Sequence, residues 1–185
     1  LIGDDIKDLK PAEKDIVERI VHSTADPEYA KLVAISDDFV DAALKSMKNN
    51  ETILTDINMV KAGITQYDGE VCCYIKNDEV KQIAKENEIT RAAAAIRYAC
   101  QNDFEGIIVS GNAPTAVWEA MDLYNKGELN VKAIVGVPVG FVGAADSKEE
   151  LRKSNIPNII TQGPKGGTPI AVACVNSLIQ TLRGI

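Results

Sequence analysis

Short, continuously apolar runs alternate with helix-like patterns along almost the whole 185-residue chain. The runs that predict strands cover residues 52–56, 71–75, 106–110, 132–137 and 158–161. Because these runs lack the in-and-out alternation of a half-exposed strand, they indicate strands buried on both faces. Helical segments between such strands favour parallel connections. The sequence therefore predicts one α/β domain over residues 1–185, with three α/β/α layers and a mostly parallel five-stranded sheet.

Helical periodicity fills the segments between the predicted strands. It predicts helices over residues 11–22, 36–49, 77–86, 90–101 and 113–124, with Ser36 as an N-cap. A short helix is expected to open with a capping box at Ser147, and the last helix with Thr168 as its N-cap. This order is typical of doubly wound, flavodoxin-like domains, in which ligands bind beyond the carboxyl ends of the strands.

Charge and cysteine content limit the possible partners. Twenty basic and 27 acidic residues leave a net charge of −7, which argues against a nucleic-acid or anionic-membrane surface. No apolar stretch is long enough to span a bilayer. The four cysteines have neither metal-ligand nor C-x-x-C spacing, so we expect reduced core cysteines, no metal site and a cytoplasmic location.

Three consecutive predicted strand ends are rich in glycine and small polar residues. Glycine lets backbone N–H groups approach a ligand closely, and a helix N-terminus behind it favours negative charge. The candidate binding residues in these segments are Ser110, Gly111, Asn112, Thr115, Gly140, Gly166 and Gly167. Their spacing matches neither the dinucleotide fingerprint nor the phosphate-binding P-loop, so no nucleotide cofactor is expected.

Two charged residues stand out by their positions on predicted helices. His22, the only histidine, lies off the apolar arc near the end of its helix, where the macrodipole favours a positive charge. We interpret it as a candidate proton donor; the alternative is an ordinary surface histidine. Arg91 lies in the first turn of its helix, where a bound anion would offset its unfavourable position. Its alternative is an ion pair with a neighbouring acid.

Several segments of the chain match motifs of a known family. They read RIVH at 19–22, ILTD at 53–56, TRAAA at 90–94, GNAPTA at 111–116, GVPVGFVGAA at 136–145 and KGGT at 165–168. On these motifs, which together span nearly the whole chain, the sequence resembles the precorrin-8X methylmutase (cobalt-precorrin-8 methylmutase) family. The resemblance implies a flavodoxin-like fold and an isomerase of cobalamin biosynthesis. This reaction shifts a methyl group from C11 to C12 of a tetrapyrrole polycarboxylate, giving hydrogenobyrinate or cobyrinate.

The resemblance also implies roles for residues and partners. His22 corresponds to the family's catalytic histidine, which protonates the ring system, and Arg91 to an arginine near the substrate's carboxylates. No cofactor is implied, since cobalt, when present, belongs to the substrate. Family members carry an N-terminal stretch with a serine–phenylalanine pair that is absent before Leu1, so we expect a less enclosed site or a shortened chain.

A homodimer is also implied, with each site close to the subunit boundary. Trp118 lies off its helix's apolar stripe and is a candidate interface residue, unless it packs under a loop of its own subunit. Two alternative functions are also compatible with the sequence. One is a non-catalytic corrinoid-binding carrier. The other is a flavodoxin-like phosphate or flavin module, which the missing phosphate motif and the low aromatic content disfavour.

Overall fold

The central sheet of the computed structural model, which describes residues 1–185, has six strands in the order β1-β6-β5-β4-β2-β3. Every neighbouring pair is parallel except β1 and β6. The strands are β1 (Val33–Ile35), β2 (Thr52–Thr55), β3 (Val71–Cys72), β4 (Glu105–Ser110), β5 (Asn130–Gly136) and β6 (Asn158–Thr161). The α/β class and the mostly parallel sheet predicted from the sequence are confirmed.

Ten helices surround this sheet. They are α1 (Gly3–Ile6), α2 (Pro11–Thr24), α3 (Tyr29–Leu32), α4 (Phe39–Lys48), α5 (Asn58–Gly63), α6 (Asp78–Glu86), α7 (Arg91–Gln101), α8 (Pro114–Asn125), α9 (Ala144–Lys153) and α10 (Thr168–Arg183). Helices α2, α4, α5 and α10 share one hydrophobic core with the sheet, and α7, α8 and α9 share the core on its other face. None of the helices combines the length and apolar character that a membrane span requires.

The sheet contains one strand more than the five predicted. β1 has only three residues, all half-buried, and pairs antiparallel with β6, Val33 lying opposite Thr161. A three-residue edge strand that directly follows a short helix has too few positions to show either a buried run or an alternating pattern. The predicted strand count is therefore corrected to six.

Three predicted helix starts are wrong. α4 begins at Phe39, and the hydroxyl of Ser36 instead donates to Asp38. α9 begins at Ala144, so Ser147 is a buried residue inside the helix. α10 has Gly167 at its N-cap, so Thr168 is its first helical residue. The last two helices follow glycines with positive φ, which side-chain capping patterns do not detect.

Helices α2 and α10 pack against each other in opposite directions. The guanidinium of Arg19, within α2, donates to Gln180 near the end of α10. Asp26, just beyond α2, contacts Lys165, just before α10 begins. The end of α2 is therefore placed beside the start of α10, at the edge of the sheet where β6 ends.

Candidate active site

The ends of β2 and β4 are joined by the buried side chain of Asp56. Its carboxylate accepts hydrogen bonds from the Ser110 hydroxyl at 3.0 Å and from three backbone N–H groups, those of Gly111 (3.1 Å), Asn112 (2.8 Å) and Ala113 (2.7 Å). Ser110 and Gly111 are themselves buried, whereas Asn112 is exposed. These polar groups hold the β4–α8 loop in this conformation, and their contact with a ligand stays a prediction.

The loops that follow β5 and β6 bind each other through their backbones. The Gly140 N–H donates to the Pro164 carbonyl at 3.0 Å, and the Gly167 N–H donates to the Val137 carbonyl at 2.8 Å. A Cβ at Gly166 would lie only 2.3 Å from the Val137 carbonyl oxygen. The close approach of the two loops explains why residue 166 is a glycine. It also engages the N–H groups of Gly140 and Gly167, which were expected to face a ligand. Substrate contact by these glycines stays a prediction.

The tip of the β5–α9 loop carries two large exposed apolar side chains. Phe141 is 98% exposed and Val142 is 90% exposed. Trp118 lies beneath the same loop, because a Cβ at Gly143 would approach its ring to 2.8 Å. Trp118 therefore packs under a loop of its own subunit, which was the alternative to its being an interface residue.

His22 is exposed and lines a cleft of about 810 Å³ between α2 and α10. The lining residues from α2 and its end are Asp15, Glu18, Arg19, His22 and Ser23; those from α10 and the C-terminus are Pro169, Val172, Ala173, Asn176, Ser177, Gln180, Thr181 and Ile185. Since Pro169 lies in the first turn of α10, the cleft begins at the strand-end edge of the sheet. The histidine is thus accessible, as a proton donor must be.

Arg19 is a functional candidate that the sequence analysis did not select. Its half-buried guanidinium donates to Gln180 and forms no ion pair. It lies three residues before His22, so both side chains face the same cleft. That i, i+3 spacing within the RIVH motif was the signal that could have identified it. The cleft is also lined by two acidic side chains, Asp15 and Glu18.

Arg91 begins α7, on the opposite face of the sheet from His22. Thr90 caps this helix by accepting the Ala93 N–H at 3.2 Å, and its hydroxyl lies 2.6 Å from that of Thr115. Arg91 is exposed and forms no ion pair, so the predicted ion-pair alternative is not observed. The structure brings Arg91 near Thr115, and it places both in a different helical layer from His22.

No group of three His, Cys, Asp or Glu side chains lies close enough to hold a metal ion. All four cysteines are unpaired. Burial raises the pKa of the Cys72 and Cys174 thiols, which keeps both protonated at neutral pH.

Comparison with known proteins identifies the chain's family. The precorrin-8X methylmutase family model matches residues 1–181. The cobalt-precorrin-8 methylmutase of Methanothermobacter thermautotrophicus is 55% identical over 97% of this chain and 85% of its own length. The chain belongs to the precorrin-8X methylmutase family. Members of this family catalyse the methyl shift of cobalamin biosynthesis, so the protein is an isomerase.

Further methylmutases agree with this assignment in sequence and in fold. The cobalt-precorrin-8 methylmutase of Methanocaldococcus jannaschii is 47% identical over 97% of this chain and 84% of its own length. A solved structure of a precorrin-8X methylmutase related protein superposes with a TM-score of 0.91 at 38% identity, covering 97% of each chain. The Thermus thermophilus precorrin-8X methylmutase gives a TM-score of 0.87 at 31% identity, covering 95% of this chain and 89% of its own. The sheet and helices described above are therefore the methylmutase fold.

Proposed function

We propose that this methylmutase converts cobalt-precorrin-8 by moving a methyl group from C11 to C12 of the ring, with His22 as the proton donor. The observation that carries this proposal is the accessible position of the only histidine in a cleft of about 810 Å³. The cobalt-containing substrate is favoured because the relatives at 55% and 47% identity are both named for it. No cofactor is proposed, since the cobalt belongs to the substrate.

His22 has the position that a general acid needs. It lies in the last turn of α2, which ends at Thr24, and its exposed side chain lines the cleft. Protonation of a ring nitrogen makes the conjugated system more electron-poor and eases migration of the methyl group. Because the product is an isomer of the substrate, the proton returns to His22 and the reaction needs no co-reactant. A positioned general acid contributes typically about 10²–10⁴-fold to a rate.

Arg19 and Arg91 are the proposed carboxylate-binding residues. Both are arginines without an acidic partner, and an arginine binds a carboxylate through two parallel hydrogen bonds. Local cations of this kind allow a chain with a net charge of −7 to bind a polycarboxylate, because screening limits the reach of distant charges. Asn112 and Thr115 are the strand-end side chains with exposed surface and are proposed to contact the substrate as well.

The proposed assembly is a homodimer in the cytoplasm, with each site near the subunit boundary. The exposure of Phe141 and Val142 supports a dimer in which the partner covers the tip of the β5–α9 loop, since large apolar side chains at adjacent positions seldom stay fully exposed. Their loop adjoins the start of α10, where the cleft begins. The unpaired cysteines are consistent with a reducing compartment.

Incubation with cobalt-precorrin-8 under anaerobic conditions tests the proposed function. We expect the absorbance change of cobyrinate formation with the wild-type chain and a loss of at least about 100-fold with His22→Ala, at unchanged product affinity. Precorrin-8 without cobalt, assayed in parallel, decides the substrate form. Tight binding of the corrinoid by the wild-type chain without turnover would instead identify a carrier. Wild-type turnover by folded His22→Ala would exclude the proton-donor role.

A further inference from the structure

Lys165 connects the turn after α2 to the loop before α10. Its ammonium group lies 2.7 Å from Asp26 Oδ2 and 2.5 Å from Glu28 Oε2. It also lies 5.8 Å from the centre of the Tyr29 ring. Both carboxylates belong to the turn that begins three residues after His22. One side chain therefore joins the end of the histidine-bearing helix to the strand-end loops.

The backbone of Lys165 is itself held firmly. Its carbonyl accepts hydrogen bonds from the buried Lys148 ammonium at 2.7 Å and from the buried Thr161 hydroxyl at 2.8 Å. On either side, Pro164 and Gly167 are bonded to the β5–α9 loop. Lys165 thus extends from a fixed part of the fold.

The turn after α2 has no other polar attachment to a distant part of the chain. The Thr24 hydroxyl donates to the Ile20 carbonyl and accepts from the Asp26 N–H, and the Glu28 N–H donates to the Asp26 carboxylate. All of these bonds are local. Among residues 22–28, only the bonds to Lys165 reach a residue more than 100 positions away.

We infer that Lys165 is a positioning residue for His22. It fixes the turn after α2 against the loop before α10, and so holds the imidazole at the edge of the cleft where the ring must be protonated. Lys165 is not among the residues that line this cleft, so it contributes to the placement of the acid rather than to substrate affinity. A misplacement of about 1 Å in a reacting group lowers a rate by about 100-fold.

Lys165→Met in the full chain tests this inference, whose kinetic part rests on the proposed function. We expect kcat to fall by about 10–100-fold while KM stays within about twofold. Lys165→Arg, which keeps a cation of similar reach, should restore kcat to within a few-fold. Lys153→Met, which removes another exposed lysine paired with a carboxylate, is the matched control and should leave kcat unchanged. An unchanged kcat in Lys165→Met, or a raised KM with normal kcat, overturns the inference.

The double variant Asp26→Asn/Glu28→Gln removes the same contacts from the opposite side. It should reproduce the loss of kcat, and it decides the question if Lys165→Met fails to fold. Hydrogen exchange gives a readout that needs no substrate: amides of residues 22–30 should exchange at least about 10-fold faster in both variants and at the wild-type rate in Lys165→Arg. Unchanged exchange contradicts the inference even if the wild-type chain proves inactive on the proposed substrate.

Discussion

The Asp56 carboxylate at the end of β2 accepts the Ser110 hydroxyl at the end of β4, with 3.0 Å between the two oxygens. The two residues are 54 positions apart in the chain and both are buried. This hydrogen bond, together with the three backbone N–H groups that the same carboxylate accepts, fixes the loop that leads into α8. Asp56 thus stabilises the fold at the strand-end edge, whereas the His22 side chain is accessible from the cleft.

Removal of the Asp56 carboxylate should destabilise the fold. Asp56→Ala leaves three backbone N–H groups without their acceptor, the buried one of Gly111 and the partly buried ones of Asn112 and Ala113. A buried donor left unpaired costs about 1–3 kcal/mol. Because the loop can partly relax, we expect the free energy of unfolding in urea to fall by about 3–5 kcal/mol. Ser110→Ala, which removes one donor and leaves the carboxylate bonded, should lower it by less than half as much. Equal losses in the two variants would refute this account.

Arg91 and Arg19 should contribute to affinity. We expect Arg91→Ala and Arg19→Ala each to weaken product binding by about 1.5–3 kcal/mol, the range for hydrogen bonds to charged groups. Titration followed by absorbance measures this loss. Arg152→Ala removes an exposed arginine that pairs with Glu149 and lies outside the cleft, so it is the matched control and should bind normally. A large drop in the melting temperature of Arg91→Ala with unchanged affinity would show that Arg91 is structural.

Lys148 should make stability depend on pH. Its ammonium group is buried with neutral acceptors only, Thr161 and the Lys165 carbonyl, and this desolvation lowers its pKa to about 8. Between about pH 8 and the ordinary lysine pKa near 10.4, the folded chain has released this proton while the unfolded chain keeps it. Unfolding then takes up a proton, so a rise in pH through this window stabilises the folded state.

Comparison with Lys148→Met isolates this effect, because the other titrating groups cancel in the difference. The free energy of unfolding of the wild-type chain, relative to the variant, should rise by about 3 kcal/mol between pH 8 and pH 10.4. This difference between the wild-type chain and the variant should be constant from pH 6 to pH 7.5, where the lysine is protonated in both the folded and the unfolded state. Denaturant titrations at these pH values measure it. A difference that does not change with pH would show that Lys148 has the same pKa in the folded and the unfolded chain.

The exposed apolar tip of the β5–α9 loop should determine whether the chain forms a dimer. Analytical ultracentrifugation of the wild-type chain at micromolar concentration should give about twice its mass of 19.9 kDa. Phe141→Ser/Val142→Ser should shift this population towards the single chain. Met59→Ser, which changes an apolar side chain that is 68% exposed on α5, is the control and should leave the mass unchanged. A wild-type chain that stays monomeric and active would disprove the dimer.

The fold was largely predictable because its strands are buried on both faces. Ile107, Ile108 and Val109 form a run that only a fully covered strand can accommodate, and such runs are visible in the sequence. β1 and the start of α9 were missed for physical reasons. The first depends on pairing with residues 158–161, far along the chain, and the second on the positive φ of Gly143.

The candidate site was predictable only in part. His22 could be selected because the spacing of the apolar residues in an amphipathic helix shows which side chains lie off its buried face. The glycine-rich segments indicated one edge of the sheet as the binding site, and that remains a prediction. Bonds between loops, such as that between Gly167 and Val137, depend on tertiary contacts and could not be predicted. Nor could the sequence show that Arg91 and His22 lie in different helical layers, because that follows from the order of the strands in the sheet.

The antiparallel pairing of β1 with β6 has a consequence for the order in which the chain can fold. β1 and α2 are made before their neighbours β6 and α10, which follow them by more than 100 positions in the chain. Until then the apolar face of α2, with Ile16 and Ile20, has no α10 to cover it. The apolar face of α2 therefore stays uncovered in the nascent chain until α10 has been made, and transiently exposed apolar surface of this kind promotes aggregation.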